Sequence, residues 1–325
     1  MIKRLFILFF VLTWFARAEG QQLPLYSQYL YNRYLINPAV AGSDGYTSFN
    51  LTAREQWAGY SGAPRTVSLS GQARILKRGY LIRQAGSRRT LRPSGDGRVG
   101  IGGYLFSDRN GMVYRTGFQT SYAYHMWLQN STQLSFGLAL TGYHFKINER
   151  ELNFSDPDDP WLNNELRRGI FVPDASFGIF VLNRNYSVGF STEQLFGAAA
   201  RFGDEAYTNF TMDRHYYLFA TWSFYPAPRM EIQPSALVMM SEQIRPVADI
   251  GLNLNFDQSL WGGIAYRSSG ALVANFGVRY TNIYLGYSFD FTMQEIQRVT
   301  YGTHEITAAL KFGDTARKYR WLDRY

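Results

Sequence analysis

The stretch "IYLGYSFDF", residues 283–291, sets Ile283, Leu285, Tyr287, Phe289 and Phe291 on one side against Gly286, Ser288 and Asp290 on the other. Period-two alternation of this kind marks a β-strand with one apolar and one polar face. "ADIGLNLNF" (248–256) repeats it, with Ile250, Leu252, Leu254 and Phe256 opposite Asp249, Gly251, Asn253 and Asn255. So do "LVANFGVRY" (272–280) and "HEITAALKF" (304–312).

Working outward from these runs, about fourteen can be found, at 47–54, 66–74, 98–108, 115–127, 132–145, 174–183, 185–193, 214–225, 229–240, 246–256, 258–267, 271–281, 282–292 and 303–312. Most are near the ~10 residues of a tilted strand that crosses a bilayer. The connections sort by parity. With both termini periplasmic, the inner turns fall at "QNS", "NRN" (183–185), "PAPR" (226–229), "FDQ" (256–258) and "TN" (281–282), all short. The outer connections include 146–173 and 194–213, long and polar. A soluble sandwich has no reason to sort its loops this way, whereas an outer-membrane barrel does. The expected fold is all-β: a transmembrane antiparallel β-barrel of about fourteen strands spanning 47–312, with an N-terminal segment in the lumen or at the periplasmic mouth.

Residues 1–18 read as a secretory signal peptide: Lys3-Arg4, the apolar block "LFILFFVLTWF", then "ARA". The block is shorter than the roughly 20 apolar residues of a membrane helix. Export by the Sec pathway and integration in the outer membrane follow as expectations. Cleavage after Ala18 removes Lys3, Arg4 and Arg17, so 30 basic residues face 25 acids and the formal charge falls from +8 to +5. That surplus does not indicate nucleic acid as a partner; outer-membrane lipid is the expected surroundings. The chain has no Cys, which excludes a lipidated N-terminus and a disulfide framework. Aromatic residues reach 17% while mean hydropathy stays at −0.24, a balance that suits half-apolar strands better than a soluble core.

No catalytic set can be assembled. His125, His144, His215 and His304 fall on different strands, and His304 and Glu305 alternate to opposite faces. "SDPDDPW" (155–161) supplies Asp156, Asp158 and Asp159 but lacks the glycine and spaced ligands of a calcium loop. The chain is read as a non-enzyme without cofactor or metal. Polar strand faces carry Arg54, Asp249, Arg267, Arg279, Asp290, Glu305 and Lys311. Charge on the lipid face is costly, so these are assigned to the lumen. The turn 75–97 departs from parity. Its Lys77, Arg78, Arg83, Arg88, Arg89 and Arg92 read blandly as a solvated turn and functionally as a periplasmic docking patch for an acidic partner. A tail, 313–325, continues past the last strand and is assigned to the periplasm.

The polar, aromatic leader 19–46 is read as a plug-like segment. A barrel this wide is not filled by its wall side chains, and Tyr, Asn, Gln and Ser can stack and hydrogen-bond within it. Asn37 before Pro38 is held extended and Gly42 permits a bend.

"YSQYLYNRYLINPAVAGSDG" followed by "AREQWAGYSGAPRTVSLS" resembles the opening of the PorP/SprF family of outer-membrane proteins. The resemblance rests on Ser27, Gln28, Tyr29, Asn32, Asn37, Pro38, Ala39, Gly42, Arg54, Gln56, Trp57, Gly59, Gly62, Ala63 and Pro64. Weaker pieces follow at Asp159-Pro160, "YSVGFSTEQL" (186–195) and "YGTHEI" (301–306). It implies an accessory of type IX secretion and gliding motility. Its partners would be secretion components and a large cargo, such as an adhesin, with a C-terminal secretion domain. The alternative from the residues alone is a general or substrate-specific porin.

Overall fold

The computed structural model describes residues 25–75, 98–128, 132–148, 169–197, 199–200, 210–211, 213–242, 245–257 and 259–312. The strands are β1 (Thr47–Glu55), β2 (Arg65–Ile75), β3 (Val99–Asn110), β4 (Val113–Trp127), β5 (Gln133–Ile147), β6 (Ile170–Leu182), β7 (Tyr186–Glu193), β8 (His215–Trp222, continued by Phe224–Ala227), β9 (Met230–Ser241), β10 (Val247–Phe256), β11 (Leu260–Arg267), β12 (Ala271–Tyr280), β13 (Ile283–Thr292) and β14 (Thr303–Phe312). Both parts of β8 pair with β9, in one register as far as Phe224 and shifted only between Phe224 and Ala227, so they form one stave of a fourteen-strand barrel. Each strand is antiparallel to its sequence neighbour, and β1 closes on β14 from Thr47 opposite Phe312 to Glu55 opposite His304. Closure leaves no strand edge unpaired, as a hydrocarbon surrounding requires.

The strand pattern decides which face meets lipid. Ile250, Ile264 and Leu140 are 66%, 69% and 65% exposed on the outer wall. Apolar residues that stay out of the interior on strand after strand form a band for acyl chains, not a soluble surface. Their alternates Asp249, Asn253, Asn275, Ser288 and Asp290 are buried inside. The expected alternation fails on β6–β9, where Phe180, Leu182, Tyr217, Phe219, Leu237 and Met239 are also buried. These strands are apolar on both faces because part of the lumen is itself a packed core.

β6 begins at Ile170, four residues before the expected 174, and shortens the outer connection to match. Pro173 hid this in the sequence, since proline cannot donate to a sheet ladder; it lies opposite Gly142 within the strand. The basic run Lys77, Arg78, Arg83, Arg88, Arg89 and Arg92, the leader 1–18, Asp156–Asp159 and the tail 313–325 lie outside the described residues. The topology predicts that a cysteine at Tyr60 or Ser61, in the connection between β1 and β2, reacts with an impermeant maleimide in intact cells. Cysteine at Arg229, in the turn between β8 and β9, stays unlabelled until the outer membrane is permeabilised. The opposite pattern would invert the barrel.

Candidate functional site in the barrel lumen

Residues 25–46 occupy the lumen. Almost every side chain there is buried, Tyr34, Asn37, Ala39 and Ala41 completely (0% exposed each). The path runs from the outer end, where β1 and β13 finish, to the inner end, where β1 starts. Leu25 lines the outer cavity beside Trp57 and Pro64, whereas Asp44 pairs with Lys311 near the end of β14 at 3.6 Å. The segment therefore descends through the barrel, and the first described residue stands at the outer end. The segment and β1 thus run in opposite directions. The cause is local: Gly42 and Gly45, at φ +66° and +79°, reverse the chain at the inner mouth so that β1 climbs again. A side chain at Gly42 would also press within 2.7 Å of the Ala73 carbonyl oxygen.

At its outer end the segment is held by a buried ion cluster. Glu305 accepts the backbone N–H of Ser27 and of Gln28, both at 2.8 Å. Ser27 Oγ donates to Asp290 Oδ2 at 2.6 Å and accepts from Arg54 Nη1 at 2.7 Å. Arg54 bridges Asp290 (2.9 Å) and Glu305 (3.0 Å), and Arg267 bridges Asp290 (3.0 Å) and Asp249 (2.9 Å). Two guanidiniums face three carboxylates, a net charge of 2 − 3 = −1. The donors that offset the excess come from the N-terminal segment. Buried charge is tolerated when it is paired and hydrogen-bonded, and both oxygens of Glu305 are satisfied only with Ser27 and Gln28 in place.

In the middle, Asn37 does three tasks with one side chain. Its Oδ1 accepts from Ala39 N at 2.9 Å, capping the short 3₁₀ turn Pro38–Val40 with proline in the first position. Its Nδ2 donates to the carbonyls of Ile179 (3.0 Å) and Phe190 (3.1 Å). The wall beneath is bare: a Cβ on Gly137 would meet Ala39 N, on Gly178 the Asn37 side chain, and on Gly100 the Ala41 oxygen. Nearby, Tyr29 and Tyr34 pack in the luminal apolar cluster, and Asn32 Nδ2 donates to Ser70 Oγ at 3.3 Å. At the inner end, Ser43 O accepts from Arg74 Nη2 (3.0 Å) and Gln133 Nε2 (3.3 Å). His125 Nε2 faces the Ala41 carbonyl at 3.0 Å, which assigns the proton to Nε2. Tyr34, Arg74, His125 and Gln133 were not singled out from the sequence as contacts of the segment. Their signal was present as inward parity on strands β2, β4 and β5 and as an aromatic next to the motif.

Among the charges assigned to the lumen, Asp249, Arg267, Asp290 and Glu305 meet in one cluster with Arg54. Arg279 and Lys311 do not join them. They lie lower, against the ring of Tyr284 at 5.2 Å each. The motif loop after β1 forms the outer rim. Gln56 N–H donates to Pro64 O at 2.8 Å, and Trp57, at φ +56°, donates its N–H to Thr303 Oγ1 at 3.2 Å. Gly59 packs under the Tyr301 ring, and Gly62 O accepts from Gly111 N at 3.2 Å. Trp57 lines a mouth cavity of about 600 Å³ with Gln56, Arg54, Arg245 and Gln294.

Solved structures with a similar path are outer-membrane barrels. The Acinetobacter baumannii protein Omp33 shares 9% identity, covering 83% of this chain and 100% of that one at a TM-score of 0.43. The Ralstonia pickettii toluene transporter TbuX shares 12%, covering 85% and 91% at 0.44. The P. putida toluene transporter TodX shares 8%, covering 85% and 90% at 0.42. No curated protein sequence matches the chain. The model of the type IX secretion system membrane protein family PorP/SprF matches residues 18–310, a span holding the buried ion cluster, the Asn-Pro turn and the rim loop alike. The chain, a closed antiparallel barrel, belongs to the PorP/SprF family.

Proposed function

We propose that the chain is a non-enzymatic accessory of type IX secretion that supports export or surface anchoring of a large cargo, such as an adhesin carrying a C-terminal secretion domain. The observation behind this reading is the filled lumen. Residues 25–46 run its length and are tied to the wall at both ends. A barrel so occupied offers its partners a rigid rim rather than a passage. The rim is the motif loop Gln56–Pro64, held to β14 through Thr303 and to the ion cluster through Arg54. The basic run Lys77, Arg78, Arg83, Arg88, Arg89 and Arg92 is the candidate contact for an acidic periplasmic ring or motor component.

Trp57→Ala tests the reading. The tagged variant and the wild type are purified from native outer membranes, and co-purifying proteins are identified. The expected result is a folded, heat-modifiable barrel that has lost a surface protein with a C-terminal secretion domain while keeping the remaining secretion components. Loss of cargo that tracks only with loss of folded barrel makes the loop structural, and the interface then belongs to the long outer connections.

A further inference from the structure

A second chamber lies in the outer half of the lumen, between the N-terminal segment and strands β2–β8. Its void is about 60 Å³, walled by the rings of Tyr26, Tyr104, Tyr143 and Tyr217 and by the carboxylates of Asp174 and Glu193. Asp174 is 3% exposed. Its Oδ1 accepts from Ala175 N (2.7 Å) and Phe196 N (3.1 Å), while its Oδ2 has no hydrogen-bond partner among the described residues. Arg115 also lines the chamber: its Nη2 pairs with Asp108 at 3.0 Å, and its charge acts on Glu193 from a distance, as that of Arg214 acts on Asp174. Among the described residues neither Asp174 nor Glu193 enters an ion pair.

Asp174 is withdrawn from water and Glu193 is half-buried, and carboxylates so placed gain more from a close positive charge than from each other. Tyrosine faces present the negative side of their quadrupole and attract a cation held close to the ring. A metal ion is the poorer fit. Calcium takes about 6–8 oxygen ligands, and no group of three His, Asp or Glu that could hold a metal exists among the described residues. The void exceeds the roughly 10–15 Å³ that one water requires, yet it admits only a head group and not a chain. We propose that this chamber binds an alkylammonium head group, supplied by a free amine or by a lysine side chain that enters from the outer end. The inference stands on its own observations, apart from the accessory role above.

The test uses the full-length protein in a maltoside detergent, in cacodylate buffer free of amines and phosphate, at constant ionic strength. Titration calorimetry is run with n-butylammonium, tetramethylammonium, the tripeptide Gly-Lys-Gly and calcium. Saturable binding of an ammonium probe is expected, weakened at least tenfold in Glu193→Gln and in Asp174→Asn. Both variants should remain heat-modifiable, so that loss of binding is told apart from loss of fold. Tighter binding of the free amine identifies a small-molecule amine; equal or tighter binding of the tripeptide identifies a lysine side chain. No saturable ammonium binding, binding unchanged in folded Glu193→Gln, or calcium bound more tightly than every ammonium probe overturns the assignment.

Discussion

Valine at Gly137 is expected to turn a closed barrel into a conducting one. Gly137 faces the lumen from β5, and a Cβ there would meet the backbone nitrogen of Ala39. Backbone cannot swing aside as a flexible side-chain tip can, so the capped turn Pro38–Val40 must leave its bed. The strand itself suffers little, because valine suits a pleated, half-buried position and the cross-strand neighbours Ala123 and Gly178 are small. The damage thus falls on the occupant of the lumen and spares its wall. In planar bilayers the wild type should show little steady current, and folded Gly137→Val should show stable openings. Large, stable openings from the wild type would return the barrel to the porin reading. A folded variant that stays closed would mean that the segment adapts to the added methyl groups.

The wall of the barrel was legible because lipid imposes one simple rule per strand. "ADIGLNLNF" and "IYLGYSFDF" read correctly residue by residue, since acyl chains ask only that every second side chain be apolar. The interior was legible in its polar half for the same reason: Asp249, Asp290 and Glu305 had nowhere else to go. What stayed hidden was the partner of each inward residue. Phe219 and Leu237 look like any apolar strand residues, and only the path of residues 25–46 shows that they pack inside. "HYYLFATW" and "ALVMM" did carry a signal, a continuous apolar run where alternation should have been. Such a run means burial on both faces. The direction of the N-terminal segment was not legible. Motif residues fix where a chain bends, as Asn37-Pro38 and Gly42 do, but not from which mouth it enters. That is set by pairing across more than 200 residues, as Ser27 with Asp290 and Glu305.

Alanine at Arg54 is expected to be the most destabilising single truncation on the polar wall. Arg54 reaches Asp290, Glu305 and Ser27 at once, with a side chain 4% exposed. Asp290 keeps Arg267 when Arg54 is lost, whereas Arg54 is the cation that the cluster gives Glu305. Without it the balance moves from 2 − 3 = −1 to 1 − 3 = −2, and the backbone N–H groups of Ser27 and Gln28 must carry Glu305 by themselves. Breaking one side of a buried pair costs about 3–5 kcal/mol. At roughly 2–4 °C per kcal/mol for a chain of a few hundred residues, the heat-modification temperature should fall on the order of 10 °C. Arg54→Lys keeps the charge but not the planar fork that serves two carboxylates, so it should fall in between. Adding Glu305→Gln to Arg54→Ala removes the carboxylate left without a cation, and the double variant should regain part of the loss. If it is no more stable than Arg54→Ala, the missing charge is not the cause. The packing of the arginine stem against the N-terminal segment would then be what holds the barrel and its occupant together.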